Sequence, residues 1–368
     1  MVILKSQRDA LLAPLQSVSG IVERRHTLPI LSNVLLEKQG GALTLIATDI
    51  EIQITTTSEN VGGEGEGAVT VAAKKLQDIL RSLPESAEIT LNLEDKRLLV
   101  KAGKSRFSLQ TLPADDFPRM VITEGEEKNL TVTQKEFRTL IGKTQYAMAA
   151  QDVRYYLNGL MLMVDGQELR CVATDGHRLA YNSMAIEADL PRQEMILPRK
   201  TVLELNRLLT DNDEPVQITV GANQIRFGFG HTVLVSKLID GKFPDYERVI
   251  PAQLENRMTV NRQVLHSAMS RAAILTNDKF RGVRIILDAG VLKIIAANAE
   301  QEEAEEELEV QYTGAPLDVG FNVTYLLDVF NNLTGDDVEW NFNDANSSAL
   351  ITVPDNDRFK YVVMPMRI

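Results

Sequence analysis

Residues 154–183 carry the clearest hydrophobic pattern in the chain. A mainly apolar run covers residues 157–164, and a second stretch, residues 168–173, alternates polar and apolar side chains before it becomes apolar. Between them, the Asp165-Gly166 pair is typical of a tight turn that needs positive backbone φ angles. The pattern predicts two strands around this turn, followed by a polar turn at residues 174–178.

The same layout occurs three times. The matching positions are Leu43, Ala47 and Asp49 in the first copy, Leu169, Ala173 and Asp175 in the second, and Leu292, Ala296 and Asn298 in the third. The copies are offset by 126 and 123 residues in a chain of 368 residues. The repeat therefore fills the chain and predicts three copies of one domain.

Apolar residues at three- and four-residue spacing predict two helices in each third. The first helix of each third covers residues 6–18, 133–148 and 261–275, and the second covers residues 74–83, 199–209 and 322–333. Thr133 and Glu136 have the spacing of a capping box at a helix start. Polar linkers near residues 123–129 and 251–256 separate three predicted domains, at residues 1–122, 129–247 and 257–368. The predicted fold class is α+β, with two helices packed on β-sheets in each domain.

Charge is distributed unevenly between these elements. The formal net charge is −12, yet windows covering the six predicted helices together hold 14 basic and 6 acidic residues. If the helices share one face, that face is positive and suits the phosphates of nucleic acid. The alternative is a set of ordinary amphipathic helices with basic residues at their rims.

Composition narrows the class of protein. Apolar residues make up 44% and charged residues 24% of the chain, as in ordinary globular proteins. Cys171 is the single cysteine, which excludes an internal disulfide and favours a reducing compartment. Charge at Lys5 comes too early for a secretory apolar segment, and no apolar run has the length of a membrane span. We therefore expect a cytoplasmic protein that is not bound to a membrane.

Enzyme hypotheses find little support. Cys171 and His177 could form a thiol nucleophile and its base, but Cys171 is better explained as a small buried strand residue. Asp49, Asp175 and Asn298 occupy one repeat position, where a turn tolerates the change to asparagine and a catalytic pair of carboxylates does not.

Cofactor motifs are also missing from the sequence. The glycine-rich segment GGEGEG at residues 62–67 lacks the lysine of a phosphate-binding loop, and the four histidines show no metal-ligand spacing with Cys171. No cofactor or metal is expected. One alternative stays open: a repeat-built enzyme with its active site at residues 174–178.

Several motifs together resemble the bacterial sliding clamp, the beta subunit of DNA polymerase III. They are RYYLNG, ATDGHRLA, FPDYERV, NDKFRGVR, EQEEAEE and the terminal YVVMPMRI. The resemblance spans essentially the full chain and implies a head-to-tail homodimer of three-domain subunits, a ring with helices lining the hole. It implies a non-catalytic processivity factor that encircles double-stranded DNA without reading its sequence. The implied partners are a separate clamp loader, the polymerase III catalytic subunit and other proteins with a clamp-binding motif.

The resemblance also implies a cleft for partner peptides between the second and third domains. An apolar groove with a flexible methionine wall suits several short linear peptides. Its expected members are Leu157, Thr174, Gly176, His177, Arg178, Leu179, Pro244, Arg248, Val249, Ser348, Val362, Met364, Pro365, Met366 and Arg367. Val363 should face the other way, into the core, by the period of two along a strand.

For DNA, the resemblance points first to residues on the loops of one ring face, Arg25, Gln151, Arg154, Tyr155 and Tyr156. Arg199, Lys200 and Arg207 are further candidates on the lining helices. A tyrosine of the adjacent pair could stack on a single-stranded base, or both could be packing residues.

Head-to-tail closure would bring the first domain of one subunit to the third domain of another. Residues 300–309 contain seven glutamates, a run that otherwise indicates a solvated face. The expected interface sets Lys75, Lys104, Arg106, Phe107 and Leu109 against Ile274, Leu275, Glu302, Glu303, Glu305 and Glu306.

Overall fold

The structure is a computed structural model, and it describes residues 2–23, 28–59, 61–63, 65–120, 128–252 and 254–367. Within this part of the chain there are six α-helices, and each falls on a predicted window. They are α1 (Arg8–Ser19), α2 (Ala73–Ser82), α3 (Gln134–Gly142), α4 (Arg199–Leu208), α5 (Arg262–Ala272) and α6 (Val323–Asn332).

Helix α3 begins with the capping box that the sequence predicts. The backbone N–H of Glu136 donates to the hydroxyl of Thr133 at 3.2 Å, and the backbone N–H of Thr133 donates to the Glu136 carboxylate at 3.3 Å. Two N–H groups that the helix itself cannot satisfy are thereby paired.

The strands follow the repeat. They are β1 (Val2–Gln7), β2 (Asn33–Gln39), β3 (Ala42–Thr48), β4 (Ile52–Ser58), β5 (Gly67–Ala72), β6 (Glu88–Glu94), β7 (Arg97–Ala102), β8 (Ser105–Leu112), β9 (Lys128–Thr133), β10 (Gly159–Thr174), β11 (Arg178–Pro198), β12 (Pro215–Val220), β13 (Gln224–Phe229), β14 (Thr232–Lys237), β15 (Asn256–Asn261), β16 (Gly282–Asp288), β17 (Val291–Ala297), β18 (Glu303–Glu309), β19 (Leu317–Asn322), β20 (Asp337–Phe342), β21 (Ala349–Val353) and β22 (Asn356–Val363).

The chain divides into two compact units. The first contains Met1–Phe137 and Leu203–Leu238. Its twelve strands form one sheet in the order β1-β6-β7-β8-β5-β2-β3-β4-β14-β13-β12-β9. Strand β8 pairs with β7 along residues 105–110 but with β5 only at Thr111 and Leu112. The other side of residues 105–110 is therefore an open sheet edge.

The second unit contains Arg138–Val202 and Ile239–Ile368 and has two sheets. One has the order β10-β11-β22-β21-β20-β15, and the other has the order β18-β17-β16-β19. Its largest fully buried side chain, Trp340, packs with Phe321, Phe330 and Phe342 at centroid distances of 5.1 to 6.3 Å. Strand β18 is an edge of its sheet.

The central hairpin differs in detail from the prediction. Strand β10 is one element over residues 159–174, where the sequence predicts two strands that start at residue 157 and are separated by a turn. The expected turn is marked instead by a shift in the register between β10 and β11, around Gly166 with φ of 59°. The predicted positive φ is therefore present, but β10 continues through it.

The polar turns after the repeat alanines form as predicted. The side-chain oxygen Oδ1 of Asp49, of Asp175 and of Asn298 accepts two backbone N–H groups within the next four residues, at 2.9 to 3.1 Å. Asparagine and aspartate have the same Oδ1 acceptor, which explains why the third copy keeps the turn. Among the helices described, none is long and apolar enough to cross a lipid bilayer.

Candidate functional site

The second unit holds a pocket of about 210 Å³ whose walls are mainly apolar. Its lining residues are Arg154, Leu157, Thr174, Gly176, His177, Arg178, Leu179, Pro244, Tyr246, Val249, Val362 and Met364. Ten of them belong to the predicted cleft, so the structure gathers most of that set around one cavity. The sequence assigned Arg154 to DNA and overlooked Tyr246, although Tyr246 lies within the FPDYERV motif.

Strand pairing positions two of the walls. Leu179 on β11 lies opposite Val362 on β22, and both are buried. Beyond β22, the backbone N–H of Met364 donates to the carbonyl of His177 at 3.0 Å, while 48% of Met364 stays exposed. Val363 is fully buried, which confirms the prediction that it is a core residue.

A tight turn forms another wall. The backbone N–H of Gly176 donates to the hydroxyl of Thr174, and that hydroxyl donates to the carbonyl of Arg178 at 2.6 Å. Gly176 has φ of 91°, and a Cβ there would come within 2.8 Å of an Arg154 nitrogen. The backbone conformation favours glycine at this position, and an added Cβ would also displace the flexible end of the Arg154 side chain.

Arg178 is held from several directions. Its Nε donates to Asp175 at 3.1 Å, its Nη1 to Asp328 at 2.5 Å and its Nη2 to the carbonyl of Tyr146 at 2.7 Å. Burial lowers the pKa of Arg178, but Tyr361, Asp328 and Asp175 outweigh burial and raise the pKa above its ordinary value. The guanidinium therefore stays charged and binds these elements together.

Five residues predicted for the cleft, all within the described chain, lie outside the pocket lining. Arg248 is 87% exposed and pairs with Asp245 at 2.8 Å. Met366 donates its backbone N–H to the carbonyl of Gly320, so the tail after Met364 follows β19. The other three are Ser348, Pro365 and Arg367.

The predicted DNA-contacting loop is exposed. Gln151, Arg154 and Tyr155 are exposed, while Tyr156 is half-buried and meets Tyr155 edge to face at a centroid distance of 5.8 Å. Tyr155 is therefore exposed to solvent, whereas Tyr156 is partly packed. Arg25 lies outside the described residues.

Arg154 is paired within its own loop. It donates to both carboxylate oxygens of Asp152, at 3.0 and 2.8 Å, and to the carbonyl of Asp175 at 3.3 Å. Hydrogen bonds from the side chain and backbone of Arg154 lower the pKa of Asp152 to about 2. A phosphate would have to compete with this carboxylate for Arg154.

The three predicted helix cations sit on α4. Arg199 donates to the carbonyl of Met148 at 3.1 Å, and Lys200 is half-buried. Arg207 is exposed, yet it pairs with Glu204 at 2.7 Å and donates to the carbonyl of Ser17 at 2.8 Å. Arg199 and Arg207 thus have structural partners that the sequence pattern did not reveal.

Eight of the eleven residues predicted for subunit contact lie on β8 or β18 or directly before these strands. On β8, Arg106 is exposed and Phe107 and Leu109 are half-buried, with Lys104 exposed just before the strand. In the same unit, Lys75 on α2 is exposed.

On the other edge, Glu303 and Glu305 of β18 are exposed. Glu306 lies on the half-buried face and is bonded by Arg271 of α5 at 2.5 and 2.7 Å, and Glu302 accepts from Asn298 at 2.6 Å. After α5, Ile274 is 76% exposed and Leu275 is half-buried.

Two kinds of chemical site bear on an enzyme hypothesis, a reactive Cys171 thiol and a metal centre. Cys171 is fully buried in β10, and burial raises its pKa well above the ordinary value, which disfavours the reactive thiolate. No group of three or more His, Cys, Asp or Glu side chains among the described residues is placed to hold a metal ion.

Comparison with protein families gives three consecutive matches. They are the N-terminal domain of the DNA polymerase III beta subunit over residues 3–121, its central domain over residues 131–245 and its C-terminal domain over residues 247–367. Together they cover nearly the whole chain.

Individual relatives agree with the family matches. The beta sliding clamp of Pseudomonas aeruginosa is 51% identical over 366 residues, covering 98% of this chain and 99% of the relative. That of Escherichia coli K12 is 48% identical over 362 residues, with the same coverage. A crystal structure of the Pseudomonas aeruginosa sliding clamp bound to griselimycin matches with a TM-score of 0.95 and 50% identity, and covers 100% of both chains.

Proposed function

Because the chain belongs to the family of the DNA polymerase III beta subunit, the bacterial sliding clamps, we propose specific roles for its pocket, loop and sheet edges. Proteins of this family are processivity factors rather than catalysts: they form dimeric rings that encircle DNA and bind the polymerase and other proteins. The fold of this chain is α+β with three clamp domains, and we set the domain limits at residues 1–122, 129–247 and 257–368.

The pocket is the proposed docking site for partner peptides. The observation that carries this assignment is a mainly apolar cavity beside two half-exposed apolar side chains, Val249 at 46% and Met364 at 48%. Such a site buries leucine or phenylalanine side chains of a short peptide, and the flexible methionine adapts to different partners. We expect griselimycin, which a relative binds, to bind this chain also. Isothermal titration of this chain with griselimycin checks that expectation.

Arg248, Ser348, Pro365, Met366 and Arg367 remain proposed as an outer rim of this site, which a longer peptide would reach.

The exposed loop is the proposed contact for DNA emerging from the ring. Gln151, Arg154 and Tyr155 present an amide, a cation and an aromatic ring to solvent, which suit phosphates and an unpaired base. Arg25, Tyr156 and the α4 cations Arg199, Lys200 and Arg207 complete the proposed set. Loose contacts of this kind retain DNA without reading its sequence, as sliding requires.

The two open edges are the proposed dimer contact, and strand pairs within the chain predict its register. Strand β4 pairs with β14, and there Ile54 lies opposite Leu234. In the next repeat β11 pairs with β22, and Ala180 lies opposite Tyr361. Ile54 and Ala180 occupy the same position of the repeat. Ile54 lies opposite the repeat alanine Ala47 on β3, and Ala180 lies opposite the repeat alanine Ala173 on β10.

The third repeat supplies the same position. Ala304 on β18 lies opposite the repeat alanine Ala296. The β4–β14 pair is taken as the template: Phe107 on β8 is the counterpart of Leu234, because each is the third residue after its hairpin turn, whereas Tyr361 is the sixth residue after the turn of its own hairpin. Equivalent pairing would set Ala304 opposite Phe107 of the partner subunit, on the half-buried face of both strands.

This register assigns the charges on the outer face. Arg106 falls opposite Glu305 and Lys104 opposite Glu307, and opposite charges across a strand pair are stabilising. This register adds Glu307, which the sequence prediction omitted, to the proposed acidic set. Glu306 stays a predicted interface residue, although it lies on the other face of β18 and accepts from Arg271. In the same register Glu303 would lie opposite Ser108 and Glu302 opposite Leu109, and Lys75, Ile274 and Leu275 would flank the paired strands.

Cysteine cross-linking tests this interface. The pair Arg106→Cys with Glu305→Cys is expected to form a covalent dimer of twice 41.0 kDa on mild oxidation. The matched control, Arg106→Cys with Ala304→Cys, places the thiols on opposite faces and should cross-link poorly. Background is low because Cys171, the single native thiol, is buried. Better cross-linking of the control would contradict the register, and a monomeric native mass would contradict the ring.

We further propose the cytoplasm as the compartment, supported by the single unpaired cysteine and by the replication role of the family.

A further inference from the structure

Arg178 lines the pocket, but its guanidinium is hydrogen-bonded to other groups of the protein. Each of its three nitrogens donates to an internal acceptor, its face lies 4.4 Å from the centroid of the Tyr325 ring, and only 9% of its side chain is exposed. A guanidinium in this setting is suited to holding structure, more than to anchoring an anionic group of a ligand.

The side chain and the backbone N–H of Arg178 both donate to the carboxylate of Asp175. Asp175 accepts from the Arg178 backbone N–H through Oδ1, at 3.1 Å, and from its Nε through Oδ2, also at 3.1 Å. The Arg178 carbonyl accepts from Thr174. A shift of the guanidinium therefore displaces the turn that forms one wall of the pocket.

One turn of α6 hydrogen-bonds both to Arg178 and to Tyr361 of β22. Asp328 accepts from Arg178 at 2.5 Å, and the carbonyl of Tyr325, three residues earlier, accepts the hydroxyl of Tyr361 at 2.9 Å. Tyr361 directly precedes Val362, which also lines the pocket. Residues 325 and 328 lie within one turn of α6, so this turn is linked both to the Arg178 side chain and to β22.

We propose that Asp328, which does not line the pocket, is a positioning residue for peptide binding and acts through Arg178. This inference rests on the proposed role of the pocket. Removing the charge of Asp328 leaves a largely buried cation with one fewer carboxylate and frees the turn to move. Residues that touch no ligand can alter affinity in this way.

The first test measures the affinity of a fluorescein-labelled pentapeptide with two leucines and a C-terminal phenylalanine by fluorescence anisotropy. Asp328→Asn is expected to weaken binding by about tenfold, within the range for residues that act at a distance. The control, Asp337→Asn, removes an exposed carboxylate of the same unit and should leave affinity unchanged. If Asp328 acts through Arg178, adding Asp328→Asn to Arg178→Gln, which removes the cation, should cause little further loss. Additive losses, or no loss in Asp328→Asn, would overturn the proposal.

The second test needs no peptide. Hydrogen exchange should accelerate at the backbone amides of His177 and Arg178 in Asp328→Asn but not in Asp337→Asn, because Asp175 would hold them less firmly. If the unaltered chain fails to bind the pentapeptide, the proposed function is wrong, and exchange alone then decides whether Asp328 positions the turn. Unchanged exchange at both amides would show that it does not.

Discussion

The backbone N–H of Met364 donates to the carbonyl oxygen of His177 at 3.0 Å, and this bond joins the C-terminal tail to the turn of the pocket. Two residues later, Met366 bonds instead to Gly320. The two methionines therefore have different surroundings, although the sequence prediction grouped them in one wall.

This difference predicts unequal effects of truncation. Met364→Ala should weaken binding of the leucine- and phenylalanine-containing pentapeptide by about tenfold, as expected for removal of an apolar contact. Met366→Ala should change the affinity by less than about threefold. Fluorescence anisotropy measures both, and native mass verifies that each variant keeps the oligomeric state of the unaltered chain. Equal losses would show that the tail moves into the pocket when peptide binds.

The pairing of Asp152 with Arg154 predicts a low titration midpoint. The folded pKa of Asp152 is about 2, below its ordinary 3.8. A depressed carboxyl pKa stabilises the folded state above pH 3.8, and that contribution is lost as the pH falls through 2. The carboxyl carbon resonance of Asp152 should keep its charged position at about pH 3. In Arg154→Ala the midpoint should return toward 3.8, and a midpoint near 3.8 in the unaltered chain would refute the pairing.

Cys171 should be unreactive in the folded protein. Its thiol is fully buried, and burial raises its pKa, so the thiolate that attacks disulfide reagents is scarce. Labelling with a thiol-reactive disulfide at about pH 8 should proceed only in denaturant. Rapid labelling of the native chain would revive the hypothesis of a catalytic thiol.

Gly176 should tolerate alanine poorly. The left-handed backbone costs a residue with Cβ about 1–2 kcal/mol, and the added carbon would also meet Arg154. Gly230→Ala is the matched control, because Gly230 has φ of 52° and a Cβ added there would meet nothing within 4 Å. We expect both variants to unfold at lower temperature and only Gly176→Ala to lose peptide affinity. Equal affinity in the two variants would mean that Arg154 does not shape the pocket.

Local interactions explain what the sequence predicted well. The helices, the Thr133 capping box and the turns at Asp49, Asp175 and Asn298 depend on contacts within about four residues. Strand alternation likewise separates Val362 from Val363. Such features are predictable from spacing because no distant partner decides them.

Long-range partners account for what the sequence did not reveal. Glu306 meets Arg271, 35 residues away, and Arg178 meets Asp328, 150 residues away. These pairs depend on strand register and helix packing, which periodicity does not specify. Arg154 was assigned to DNA alone, because nothing local indicates that its loop folds back over Gly176.

The central claim is that this chain encircles DNA, and retention on DNA of different topology tests it most directly. The protein is loaded on nicked circular DNA with a clamp loader and ATP, half of the sample is linearised, and bound protein is counted after gel filtration at moderate salt. Encirclement predicts retention on circles and loss from linear ends, whereas electrostatic binding is largely indifferent to free ends. Equal retention on both forms would contradict the ring.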